Sequence, residues 1–342
     1  MTTVSGTDAL GTAVSPNRRS GTPLFALLGI LLLAGSAAMA GWMPIGFAIG
    51  TVFLFAGPHN WFEVRYFLSR MPARWGSRRV YFSLGLAGVI LLSLGFIGQS
   101  IIGRSLGWSM QTWSLSIGIW NTCLLLWVAA MVHLRGRERA GRDWSWIWAV
   151  AFALIAVVWA RPLAWDLFLI YLHPVIALCF CRHEIKRRKP HWLRTFDRLL
   201  LCIPLILAVL WWQLAQRPDL GGPDALNLRI TQLAGMDWLD GVSSHFLVAS
   251  HTFLEVLHYG VWILAIPMIG LGRWPWQLQS VPLAKKSARW RCGLLAVVVG
   301  GGLVTVALWA GFMADYPLTR DIYFTAAIVH VLAEFPFLIR SV

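Results

Sequence analysis

The sequence predicts an all-α, polytopic transmembrane helix bundle of about ten spans with both termini cytoplasmic, and three observations carry that reading. Of the 342 residues, 58% are hydrophobic and only 13% charged, against about 25% charged in soluble domains; the mean hydropathy is +0.64. The apolar residues fall in runs, most of which reach the ~20 residues a helix needs to cross ~30 Å of hydrocarbon. The basic residues sit between those runs and favour alternate connections. A soluble enzyme and a disordered chain are excluded, because no polar shell is available to cover such a core. The runs are also too long and too continuously apolar for barrel strands.

Ten apolar segments are read at about 23–40, 44–68, 80–101, 109–133, 144–160, 162–181, 196–214, 246–270, 290–313 and 320–340. Backbone amides find no partners in lipid, so each is expected to be helical. Residues 1–22 form a cytoplasmic N-terminal tail, and 23–342 a single transmembrane domain with an external loop at about 215–245. The tail also has features of a signal peptide: Arg18-Arg19 precede the first apolar run, and Ala38-Met39-Ala40 has the small-residue form of a cleavage site. The length of that run and its direct passage into the next segment favour a retained helix.

The charges test the segment count independently. With ten spans, one set of connections holds 5 Lys+Arg, and the other set, with the termini, holds 24. That bias puts both termini in the cytoplasm, and the bacterial inner membrane is the expected location. The run Lys186-Arg187-Arg188-Lys189 is topogenic or binds anionic headgroups, so the expected partner is the lipid bilayer and not nucleic acid. Trp42, Trp108, Trp144, Trp146, Trp274 and Trp276 fall near segment ends, as interfacial aromatics do. The five cysteines include no C-x-x-C and read as reduced apolar fillers. Gly46-x-x-x-Gly50 is expected to pack helices within the bundle. In the external loop, Asp224 can cap a short amphipathic helix carrying Leu226, Ile230 and Leu233 on one face.

Ionisable residues at membrane depth cost ~2.5–3.5 kcal/mol each on insertion scales, so those present need a reason. The second segment carries His59 and Glu63, the sixth Asp166 and His173, the eighth His251, Glu255 and His258, and the tenth His330 and Glu334. Three of these groups repeat His-x-x-x-Glu, a spacing that puts both side chains on one helix face. All four segments run in the same direction, and each contains a proline (Pro58, Pro174, Pro267 and Pro336) that frees a carbonyl and tends to kink the helix. His59, His251, His258 and His330 are the preferred metal ligands, with His173 in reserve. Glu63, Glu255 and Glu334 are additional ligands or outer-shell groups that orient a ligating ring. Neutral imidazole with carboxylate suits iron, zinc or manganese. Asn121 is an additional polar contact. His133, His183 and His191 fall at cytoplasmic segment ends or in loops and stay outside the site, and His245, at the outer end of the eighth segment, is a weak candidate.

Gly57-Pro58-His59-x-x-x-Glu63 resembles the Pro-His-Gly-x-x-Asp motif of the bacterial and archaeal membrane β-carotene dioxygenase family, with Asn60 in place of Gly and Glu63 in place of Asp. The resemblance covers about seven residues. It implies a polytopic protein in which histidines from several helices hold iron, His59 being one of them.

The sequence therefore points to a membrane protein with a buried His/Glu metal site, the metal being iron, acting as an oxygenase or oxidoreductase on a lipophilic substrate. Three alternatives stay open at this point: a proton-coupled transporter using the same residues as a relay, a haem held between facing histidines, and a membrane protein without chemistry. The sequence leaves catalytic residues within the metal site unassigned.

Overall fold

The computed structural model describes residues 21–72, 76–138, 143–221, 224–270, 278 and 281–341. Among these the chain is all-α: α1 (Thr22–Trp42), α2 (Pro44–Arg70), α3 (Arg79–Ser105), α4 (Met110–Arg137), α5 (Trp146–Ala160), α6 (Pro162–Arg188), α7 (Leu193–Leu214), α8 (Ala225–Leu233), α9 (Ser244–Gly260), α10 (Ile266–Gly270), α11 (Ala288–Ala314) and α12 (Tyr316–Ser341). One π-helical turn, Val261–Ala265, joins α9 to α10, and the three run on as one 27-residue rod. The tail with Arg18-Arg19, the residues around Ala140, and Arg273, Trp274 and Trp276 lie outside the described residues.

Each of the ten apolar segments is helical. Seven of the helices are long and apolar enough to cross a membrane: α1, α3, α4, α6, the α9–α10 rod, α11 and α12. The chain is a multi-pass membrane protein. The other three apolar segments are set apart by their residues. Segment α2 carries Glu63 and Arg65 within its 27 residues, α7 brings Asp197 and Arg198 into its first turns, and α5 has only 15 residues.

Several helices run past the apolar segments that predict them. α4 continues to Arg137 and α6 to Arg188, each with basic residues in its last turn. Hydropathy marks where lipid contact ends, whereas Lys and Arg are good helix formers and complement the C-terminal dipole. α12 begins at Tyr316 rather than near 320, which brings Arg320 into the helix and leaves it only 6% exposed.

Local chemistry sets the breaks. Pro44 and Pro162 open α2 and α6 one residue after the preceding helix ends, where a missing N–H costs nothing and the fixed φ suits a first turn. Ser109, Ser243 and Ser287 cap α4, α9 and α11. Asp224 caps α8 by accepting from the Leu226 amide, as expected, and Ile230 of α8 packs with Ala48, Leu247 and Val248. Pro267 lacks the amide that would bond the Ile263 carbonyl, and Ile263 lies in the π turn, a local cause for the irregular winding there.

α2 packs against α9, α11 and α12, and α6 against α9, α4 and α5. A Cβ on Gly57 would sit 2.9 Å from the Thr305 side chain and 3.0 Å from its Cα, so the absence of a side chain lets α11 press close beside the site. Gly46 and Gly50 behave otherwise: a Cβ at Gly50 would meet open space, and one at Gly46 only Met43 of its own chain segment. Among the described residues, that G-x-x-x-G packs no second helix closely. Toward the end bearing Arg70 and Arg188, the core is aromatic, with Tyr66, Phe67, Phe180 and Trp262 in one cluster. There Glu184, 2% exposed, accepts from Arg70 at 2.6 Å and faces Arg188 at 3.0 Å. The five cysteines are free; Cys181 is buried and the others are exposed on apolar helices.

Candidate metal centre

Four histidines from four helices converge in the middle of the bundle. His59 of α2 follows Pro58 directly. Its Nδ1 lies 2.8 Å from the Phe55 carbonyl, so Nδ1 carries the proton and Nε2 keeps its lone pair. His258 of α9 stands edge-on to it, with ring centroids 5.4 Å apart. His330 of α12 stands 5.3 Å from His59, and His173 of α6 lies 4.4 Å from His258 and 6.0 Å from His330. His59 and His258 are 1% and 3% exposed.

Donor atoms of His59, His258 and His330 lie within 4.8 Å of one another, and so do donors of His173, His258 and Glu334. A metal–nitrogen bond of 2.0–2.1 Å places tetrahedral ligands about 3.4 Å apart, so a small closure of either group reaches ligation distance. Several of these donors have no hydrogen-bond partner among the described residues: both ring nitrogens of His258, Nε2 of His173, Nδ1 of His330 and Oε1 of Glu334. Buried polar atoms are normally satisfied, and leaving one unsatisfied costs about 1–3 kcal/mol. Imidazole lone pairs with a carboxylate at the edge are a donor set that suits a divalent ion of the iron–zinc series.

The two glutamates meet each other. Glu63 and Glu334, 1% and 2% exposed, contact carboxyl to carboxyl; a hydrogen bond between two carboxyl groups requires a proton on one of them. Nδ1 of His173 lies 3.9 Å from Oε2 of Glu334. This carboxyl pair therefore borders the histidines on one side.

His251 and Glu255 do not join this group. They line a small cavity nearer α8, together with Arg320 of α12 and with Ile230 and Leu233 of α8. The His251 ring packs on Tyr171 at 5.7 Å, and Glu255 accepts from the Tyr259 hydroxyl at 2.7 Å. The i, i+4, i+7 stripe does put His251, Glu255 and His258 on one face of α9. Seven residues, however, advance a helix by about 10.5 Å, more than one ligand sphere spans. The same holds for Asp166, seven residues before His173: it accepts from Asn121 at 2.7 Å in a separate α4–α6 contact.

Two features of the site were not visible as motifs. The Tyr259 ring lies 4.3 Å from the His59 ring while its hydroxyl is held by Glu255, and the Tyr323 hydroxyl contacts both Tyr259 and Asn60. Arg320 is buried against the face of Phe324, 4.8 Å from its centroid. The spacing of Glu255 and Tyr259, four apart on one helix, was a usable signal for the first. Arg320 gave none, since near the end of an apolar run it reads as a boundary residue.

Comparison with protein-family models, with curated proteins and with solved structures finds no match to this chain.

Proposed function

We propose that this is a ten-span membrane metalloprotein with cytoplasmic termini, in which His59, His258 and His330 hold a metal ion at mid-depth. The carrying observation is the convergence of histidine donors from three helices within 4.8 Å, two of the residues buried and His330 half-buried, beside the Glu63–Glu334 carboxyl pair of α2 and α12. His59 is pre-set by the Phe55 carbonyl, so its free nitrogen points inward without tautomer exchange. Glu334 and Glu63 supply a proton-holding edge. The resemblance of Gly57–Glu63 to the membrane β-carotene dioxygenases favours iron, and a site this deep in the bilayer favours a lipophilic substrate and oxygenase or oxidoreductase chemistry. Bound iron would supply oxygen activation; the chain's own residues position the ion, exclude bulk water and hold a proton beside it. The 24-to-5 basic asymmetry supports the topology, with an inner-membrane location.

The test is elemental analysis and an optical spectrum of the purified protein in detergent. Iron or another transition ion near stoichiometric amounts is expected, and metal-free protein that keeps its activity ends this reading. Reporter fusions after Arg70 and Lys189 are expected to read cytoplasmic and one near Gly222 external; a cytoplasmic reading at Gly222 breaks the ten-span topology.

One observation favours a second reading, a proton-coupled transporter. The polar contacts Glu255–Tyr259–Tyr323–Asn60 run from the cavity under α8 toward His59, as a relay would. Proton-driven flux in vesicles lost in Glu255→Gln, with no metal in the wild type, selects it.

A further inference from the structure

We propose that the centre takes two metal ions, with the imidazole of His258 standing between them. The inference rests on the metal-binding reading above and adds a second position and a bridge to it.

The donors divide into two groups of three, and they do not form one group of five. His59 and His330 complete the first group, and His173 and Glu334 the second; His258 is the member common to both. A ligating histidine ordinarily hands its second ring N–H to a carbonyl, carboxylate or water, which fixes its orientation. His59 does so through Phe55. His258 does not: it is 3% exposed, and neither of its nitrogens has a hydrogen-bond partner among the described residues. The two nitrogens of one imidazole point away from each other and cannot bind the same ion. The His258 ring has His59 as one neighbour at 5.4 Å and His173 as another at 4.4 Å. With one nitrogen assigned to each group, both otherwise unsatisfied atoms find a use.

The charges agree with this assignment. A second divalent ion at mid-membrane depth needs anionic compensation. The second position alone has it, in Glu334 with Glu63 beside it. When both positions fill, the single ring N–H proton of His258 leaves to solvent, and the resulting imidazolate contributes one further negative charge between the two cations.

The experiment loads the full chain, purified in detergent, with cobalt(II) or copper(II), removes excess ion, and counts bound metal per chain. Two ions are expected in the wild type, one in His173→Ala and in Glu334→Gln, and none held tightly in His258→Ala. In the copper form, imidazolate bridging couples the two spins, so the wild-type paramagnetic resonance signal is expected well below that of two independent ions. His173→Ala is expected to restore the full signal of one. Two variants of the second position are used, so that a failure of either to fold, read by gel filtration and thermal melting, leaves the other decisive. One ion in the wild type, unchanged in both variants, overturns the second position and leaves the proposed function standing. Two ions with an undiminished signal overturn the bridge. No ion in the wild type overturns the inference together with the metal-binding reading itself.

Discussion

The spacing His-x-x-x-Glu is used in two ways in this bundle. In α2 and α12 the histidines, His59 and His330, face each other across 5.3 Å, and the glutamates four residues on, Glu63 and Glu334, meet one turn further along. In α9 the pair His251 and Glu255 has the same spacing, yet it is only half-buried and lines a cavity under α8 with Arg320. His258, two turns further along α9, is the residue that reaches the centre. The difference is one of layer. Helical spacing chooses a face, and the axial rise of 1.5 Å per residue chooses the depth; two pairs meet only when their depths agree.

The largest expected effect separates the two layers at once. His258→Ala is expected to remove most of the bound metal, because it takes a donor from both groups, while His251→Ala keeps the wild-type content. Equal losses in the two variants, measured by elemental analysis, would erase the distinction between the layers.

A smaller effect compares the glutamates. Glu334→Gln is expected to release the ion of the second group, of which Glu334 is a donor, and to weaken affinity at the first group by at most about 10–100-fold, the usual range for a group outside the ligand shell. Glu255→Gln, one layer away, is expected to change affinity far less. A larger effect for Glu255 in a competitive chelator titration would transfer the supporting role to the α8 side.

Tyr259 joins the two layers, so it sharpens the comparison further. Tyr259→Phe keeps the ring against His59 and loses the hydroxyl's contacts with Glu255 and Tyr323, for which about 1–3 kcal/mol of stability is expected with little change in metal content. Tyr259→Ala removes the ring as well and is expected to lower metal affinity too. If the two variants bind metal equally well, Tyr259 has no positioning effect on His59.

The smallest effect lies outside the membrane, at the entry to α9. Asp219 accepts from the Ser244 amide at 2.8 Å, and that bond holds its carboxyl below the usual carboxylate range. A lowered value means that the contribution is full above the unfolded carboxylate pKa of about 3.9 and is lost as pH falls through the folded value. Hydrogen exchange at the first α9 amides is expected to quicken in Asp219→Asn at neutral pH, and the difference from wild type is expected to vanish in strong acid. A difference that persists there would show that the carboxylate charge is not what ties the loop to α9.

The sequence alone determined the class of the molecule and much of its segmentation. Continuous apolar runs have one solution in lipid, since only a helix satisfies its own backbone, and so each of the ten segments could be read as helical before any coordinates. Asp224 marked the cap of α8, and the cost of burying charge singled out His59, His173, His258, His330, Glu63 and Glu334 as residues needing a reason. Tertiary structure alone decided which of them meet. It moved His251, Glu255 and Asp166 into a separate layer, paired Glu63 with Glu334, buried Arg320 and laid Tyr259 on His59. Those outcomes depend on the relative axial offset and rotation of helices distant in the chain. Local spacing carries no information about either, because packing across the bundle fixes both.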